Sequence, residues 1–292
     1  MSRTQTWLIT GASSGFGQSI GIAALNAGQR VVGATRDVVM AKHCNPEFAA
    51  KGGMWTRLDP GHPESLAHFA KAQEEFDVDV LVNCAGYAFI GGVEDTSEQE
   101  IRHQMEVNFY GPIRAIKAVL PAMRRKKRGH IVLISSGAGF IARPGRGVYS
   151  ASKYAIEAIH ESLMHETHSL GIKTLIVEPG AFRTAFSTRL VTPAAHESTG
   201  GYSEAYRGTK LEAMLQMMHG KDGVPPENLA KGDPDKAAKA IVDAVLGGHE
   251  YLRLILGPDC VKAMEDKIGE FQRDLELTRE VSMGTDVVAM KA

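Results

Sequence analysis

Short apolar runs recur along the chain between segments of helical pattern. They read TWLIT (6–10), RVVGAT (30–35), GMWTRL (53–58), DVLVNC (79–84), HIVLIS (130–135), KTLIVE (173–178) and LRLIL (252–256). Most are apolar throughout rather than alternating, as expected of strands covered on both faces of a parallel sheet. Helical segments separate them, notably 98–126 and 148–169. That alternation predicts an α/β fold, a doubly wound parallel sheet. No repeat, low-complexity segment or linker divides the chain, so one domain is expected over 1–292.

The regularity lapses over 185–230, where two stretches rich in Gly, Pro and Ser flank the Met-rich helical piece TKLEAMLQMMHG. An insertion this long in a compact domain is usually functional or mobile. After the last strand, 257–292 reads as a long amphipathic helix that either packs on the core or serves a partner.

Composition narrows the class without naming a chemistry. Hydrophobic residues at 43% and charged residues at 23% are ordinary for a soluble globular protein. A formal net charge of -1 gives no support for a nucleic-acid surface. The basic run RRKKRGH (124–130) reads as cations at a helix C-terminus before Gly129. Cys44, Cys84 and Cys260 have neither metal-ligand spacing nor a disulfide pattern. The first strand follows the N-terminus too closely for a signal peptide, and no apolar run reaches transmembrane length, so a cytoplasmic setting is expected.

Candidate chemistry begins with LITGASSGFGQSIG, which sets Gly11, Gly15 and Gly17 directly after the first strand and at the start of a helix. Glycines let a backbone turn tightly against a pyrophosphate, and the helix N-terminus offers free N–H groups. There is no Gly-Lys-Ser/Thr, which disfavours a P-loop NTPase. The second strand ends in VVGATRD, with neutral Thr35 and basic Arg36 where a carboxylate would read the ribose of NAD. This favours NADP(H), although Asp37, one position on, is placed to read the ribose if the register shifts.

Further on, GVYSASKYAIEAIHES places Tyr149 four residues before Lys153, so both share one helical face. An ammonium beside a phenol favours the phenolate, which predicts a lowered Tyr149 pKa. Bringing a tyrosine from ~10 to ~7 takes about 4 kcal/mol at ~1.36 kcal/mol per unit.

With TGxxxGxG at 10–17, NCAG at 83–86, Asn108, Ser136 and Tyr149-x-x-x-Lys153 in order, the chain resembles the short-chain dehydrogenase/reductase family, from about residue 5 to EPGAFRT at 178–184. The tail resembles that of hydroxysteroid- and retinol-dehydrogenase-like members. The resemblance implies a Rossmann fold and an NADP(H) site using Gly11, Ser13, Ser14, Gly15, Phe16, Gly17, Arg36, Asp59, Asn83, Ala85, Gly86, Pro179, Gly180, Phe182 and Thr184, together with Tyr149 and Lys153. It makes Tyr149 the general acid/base, and Lys153 the residue that lowers its pKa and holds the nicotinamide ribose. Ser136 would hold the substrate oxygen and Asn108 would complete a proton relay. Strand alternation sends the neighbouring Ser135 to the opposite face. Thr184 suits the nicotinamide carboxamide, or alternatively a helix N-cap.

The expected activity is reduction of a ketone or aldehyde to an alcohol, or the reverse, with no metal. Alternatives are an NADP(H)-binding regulator, which would keep its effect as Tyr149→Phe, and a non-redox dehydratase, epimerase or cyclase on the same scaffold. Phe182, Phe186, Tyr202, Tyr206, Met214, Met217 and Met218 suggest that 185–230 is a lid over an apolar pocket for a lipophilic small-molecule carbonyl or alcohol. By resemblance, the helices at 98–126 and 148–169 would pair copies into a homodimer or homotetramer.

Overall fold

The computed structural model of the chain describes residues 3–220 and 230–286. Seven strands form one parallel sheet in the order β3-β2-β1-β4-β5-β6-β7. They are β1 (Thr6–Thr10), β2 (Arg30–Thr35), β3 (Met54–Arg57), β4 (Val80–Asn83), β5 (Gly129–Ile134), β6 (Ile172–Pro179) and β7 (Arg253–Leu256). The strand order reverses between β1 and β4, where a crevice opens at the carboxyl ends. β1 (Trp7, Leu8, Ile9) and β4 (Val80, Leu81, Val82) are buried on both faces, which is why they read as unbroken apolar runs.

Helices cover both faces: α1 (Gly15–Asn26), α2 (Val38–Cys44), α3 (Pro46–Ala50), α4 (Ser65–Phe76), α5 (Glu98–Met105), α6 (Gly111–Lys126), α7 (Gly147–Thr167), α8 (Lys210–His219), α9 (Pro234–Gly247) and α10 (Pro258–Met283). One apolar cluster joins α1 and α9 to the sheet through Ile20, Ala24, Ile241 and Val242. A second joins α4 and α6 through Phe69, Ala72, Val119 and Met123.

Two expectations change. The helix expected over 98–126 is interrupted by a π-helical turn, Glu106–Tyr110, between α5 and α6. The residue stopping α6 is Lys127, at φ 51°, rather than Gly129, which already belongs to β5. The basic run is spent locally, since Lys126 pairs with Asp77 and lies 3.3 Å from Asp79. The tail is helical over 258–283, but beyond Cys260 and Met264 little of it is buried. Of the insertion expected over 185–230, residues 221–229 lie outside the described residues, as do 287–292 of the tail. No helix among the described residues is long and apolar enough to cross a membrane.

Candidate active site

The first turn of α1 has no side-chain cap and no acidic residue, so its leading N–H groups face outward unclaimed by the chain's side chains. Gly11 sits at φ +66°, and an added Cβ there would lie 2.9 Å from the Ala85 Cα; one on Gly17 would run into the Gly11 carbonyl. The glycines therefore let the β1–α1 loop close on itself and on the end of β4. Two residues not singled out from the sequence complete it. Thr10 Oγ1 accepts from the N–H groups of Cys84 (2.9 Å) and Ala85 (3.0 Å), pinning the two strand ends together. Buried Asn45 donates to the Ser13 carbonyl at 3.2 Å.

At the end of β2, Arg36 is exposed. Asp37 is committed to its own helix: its Oδ1 accepts from Met40 N at 2.9 Å as the N-cap of α2. Asp59 likewise accepts from Gly61 N (3.0 Å), closing a turn after β3. Asn83 is buried at the end of β4, and its Nδ2 has no partner among the described residues.

The Tyr149–Lys153 pair lies on α7, with Tyr149 only 4% and Lys153 6% exposed. Lys153 Nζ donates to the Ile134 carbonyl at 2.9 Å and lies 5.9 Å from the Tyr149 ring centre. The lowered Tyr149 pKa expected from Lys153 is not what the fold produces. Burial pushes the phenol up, against the Ser136 hydrogen bond and the Arg146 guanidinium, and Lys153 is not among the charges that move it. Burial also pulls Lys153 down to about 8. Spacing alone could not weigh desolvation against the ammonium.

Ser136 Oγ accepts from Ala138 N (3.1 Å), and its hydroxyl acts on the Tyr149 phenol in the sense opposite to burial. Ser135 points the other way, as strand alternation predicts, and bonds Glu157. Asn108 sits on the π-helical turn, which aims its buried amide at the loop after β4. Its Nδ2 donates to Tyr87 O and Ser152 Oγ (both 3.1 Å), and its Oδ1 accepts from Tyr87 N (3.3 Å). Gly86 leaves the space beside it, where a Cβ would lie 3.1 Å from that oxygen and 3.8 Å from Lys153 Nζ. Burial pushes the Cys84 thiol up to about 12, in keeping with core packing.

The segment after β6 runs along the glycine loop. Buried Pro179 ends the strand, Gly180 N bonds Leu256 O (2.9 Å), and the Phe182 ring packs edge-on to Phe16 at 5.1 Å. Thr184 approaches Gly15 and accepts from Phe186 N (3.4 Å); no helix starts there, so the N-cap alternative falls. Farther along, Arg189 Nη1 donates to Ser14 Oγ at 3.3 Å. Tyr202, Leu211, Leu215 and Met218 then pack with Tyr149, and Phe186 lies 5.9 Å from its ring. Phe186 (41%) and Met217 (47%) remain exposed.

The sequence model of the family described as short chain dehydrogenase matches residues 5–194. This chain is a short-chain dehydrogenase. It is 45% identical to the oxidoreductase claN of Passalora fulva over 212 residues, 72% of this chain and 94% of that protein. Retinol dehydrogenase 8 of Bos taurus is 35% identical over 239 residues, 78% of this chain and 76% of that one. The crystal structure of a short-chain dehydrogenase from Streptomyces avermitilis superposes with a TM-score of 0.84 at 35% identity, covering 98% of this chain and all of that one.

In this short-chain dehydrogenase the residues expected to act together do converge at the carboxyl ends of β1, β4, β5 and β6. Arg36 and Asp59 stand apart, at the ends of β2 and β3. Arg146 and Arg189 had no sequence signal; both are isolated cations in loop-like stretches whose neighbours come from far along the chain.

Proposed function

We propose that this oxidoreductase is an NADP(H)-dependent carbonyl reductase or alcohol dehydrogenase in which Tyr149 is the general acid/base. The observation that carries the reading is the buried Tyr149 phenol, on which half-buried Ser136 acts, with Lys153 one turn on along α7 and the uncapped start of α1 at the same end of the sheet. The donor set suits a polyanionic dinucleotide: α1 N–H groups and Ser13, Ser14 and Arg189 for phosphates, exposed Arg36 for a 2′-phosphate, and the orphaned Asn83 amide. Asp37 Oδ1 is engaged as the helix cap of α2, which supports the Arg36 reading over that of a carboxylate on the ribose.

The bound nicotinamide supplies or accepts the hydride. Ser136 orients the substrate oxygen, and Tyr149 gives it a proton as it gains negative charge, or takes that proton away in oxidation. Lys153, anchored on Ile134, fixes the α7 face and holds a sugar hydroxyl. Asn108 ties α5–α6 to α7 and so steadies Tyr87 and Ser152. Since the chain's own groups leave the Tyr149 phenol high, donation in reduction is the easier direction. Within the described residues, 185–220 serve as the substrate cover and 258–283 as a helical extension of the same domain. The exposed Tyr110, Tyr154 and Ile159 lie on the helices through which copies would pair.

The test follows NADPH and NADH oxidation with ketones graded by size, beside Tyr149→Phe. NADPH turnover lost in the variant supports the reading. Preference for NADH overturns the Arg36 assignment, and turnover surviving in Tyr149→Phe overturns the acid/base role.

A further inference from the structure

Arg146 stands one turn before Tyr149, at the start of α7, and beneath α8, where its Nε meets the Met218 sulfur at 3.4 Å. Its backbone is fixed on both sides, its N–H bonding Arg143 O and its carbonyl accepting from Ser150 N. The half-buried guanidinium is therefore held where the start of α7, the helix that carries Tyr149, meets the insertion. That junction is apolar, with Tyr149, Leu215 and Met218 in one buried cluster.

No ion pair among the described residues includes Arg146. The carboxylates under and within the insertion are engaged elsewhere. Asp95 accepts from Ser203 N (2.9 Å) and faces His196 at 3.5 Å; Glu212 accepts from the Tyr202 hydroxyl (2.7 Å) and Gly208 N (2.6 Å). The charges that act on Arg146 are Tyr149 and a second guanidinium, Arg143, and burial opposes its charged form. A cation partly withdrawn from water without a counter-charge is costly, and a carboxylate brought to it regains that cost through two parallel N–H bonds.

We propose that Arg146 receives the anionic group of the substrate, so that the compounds turned over here carry a carboxylate or comparably acidic group near the reacting carbonyl or carbinol carbon. This rests on the oxidoreductase reading above and narrows its substrate class. Anchoring the anion on Arg146 would turn the carbonyl oxygen toward Tyr149 and Ser136, while Leu211 and Leu215 take the apolar remainder.

The experiment gives the full chain, with its reduced nicotinamide cofactor, matched pairs of aryl keto acids and their methyl esters. The acid is expected to exceed the ester in kcat/KM by about tenfold or more, the range of a charge-assisted hydrogen bond. The ratio should fall as salt is added. R146Q should bring it to about one, and R146K should keep part of it, because the charge stays while the fork is lost. If R146Q does not fold, R146K and the salt dependence decide. A wild-type ratio of one or below overturns the inference and leaves the oxidoreductase reading standing. So does R146Q lowering both members alike with the ratio kept, which would assign Arg146 to Tyr149 instead. No turnover of either member by the wild type, across pairs graded in size, overturns the oxidoreductase reading and this inference with it.

Discussion

The floor of the site and the segment that covers it meet at Tyr149, but they are held in different ways. The floor stands on strand ends, the π-helical turn and α7, where Tyr149, Lys153, Asn108 and Asn83 are nearly all out of solvent, and Lys153 and Asn108 are bonded to other elements. The cover, from Phe182 to His219, is built of turns, 3₁₀ segments and one short helix, and its polar bonds are mostly made within itself. It is tied to the loop after β4 by backbone bonds, Ile90 N to Val191 O (2.8 Å), Val191 N to Ala88 O (3.0 Å) and Gly92 N to Gly201 O (3.1 Å), and over the glycine loop and the start of α7 by side chains alone: Phe182 on Phe16, Arg189 on Ser14, Met218 on Arg146. A rigid floor keeps reacting groups in place, and a cover held over the site by side chains alone can shift there for substrate while its backbone ties stay made.

Substitutions should respect that division. The largest effect belongs to Tyr149→Phe, which removes the transferable proton without changing the packing. It should lower kcat by about 10²–10⁴-fold while cofactor binding, followed by fluorescence titration, stays within about twofold.

Next comes the buried carboxyl pair behind the floor. Glu157 and Glu178 share the Arg253 guanidinium, whose Nη2 lies 3.7 Å from Glu157 and whose Nε lies 3.1 Å from Glu178. Burial, then the Glu157 charge, pushes Glu178 from the ordinary 4.5 up to about 8. A raised carboxyl binds its proton more tightly folded than unfolded, so its contribution to stability is complete below the ordinary value and is lost as pH rises toward 8. His130 and His160, pulled down to about 4 by burial, act in the opposite sense up to 6.5, and Lys153 does so above about 8. Between pH 6.5 and 8 the carboxyl pair should therefore dominate, costing up to about 1.4 kcal/mol per pH unit. Thermal melts should show Tm falling over that window in the wild type and staying level in Glu178→Gln. Parallel curves would refute the shared-proton account.

Arg189→Ala should act on cofactor affinity rather than on the chemical step. A three- to tenfold rise in cofactor Kd at low salt, shrinking as salt is added, is the size expected of one exposed cation. An unchanged Kd would mean that Arg189 merely rests on Ser14. The smallest change should come from Phe186→Ala. Its ring is too exposed to stabilise the fold by more than about 0.5 kcal/mol, so Tm should hardly move while KM for the bulkiest ketone rises a few-fold. A large drop in Tm would show the cover to be as integral as the floor.

Much of the site was legible because its spacing is local. A glycine-rich turn between a strand and a helix, a tyrosine and lysine four apart, and a serine on one face of a strand are consequences of backbone geometry over a few residues. The same holds for the fold, since apolar runs of strand length between helices leave little choice but a covered parallel sheet. Even the preference for Ser136 over Ser135 follows from alternation.

What the local pattern could not decide are the quantities that depend on partners far along the chain. Thr10 finds Cys84, Asn45 finds Ser13, Glu157 finds Glu178, and Arg146 finds Met218 only once the strand order is set. The Tyr149 pKa is the plainest case. Sequence spacing brought an ammonium near the phenol and predicted a fall. The fold buried both and turned Lys153 onto Ile134, and the cost of desolvation, with the Glu157 charge on its side, outweighed Ser136 and Arg146. Periodicity along the chain determines which residues share a face, but only tertiary packing decides how much water they lose and which charges replace it.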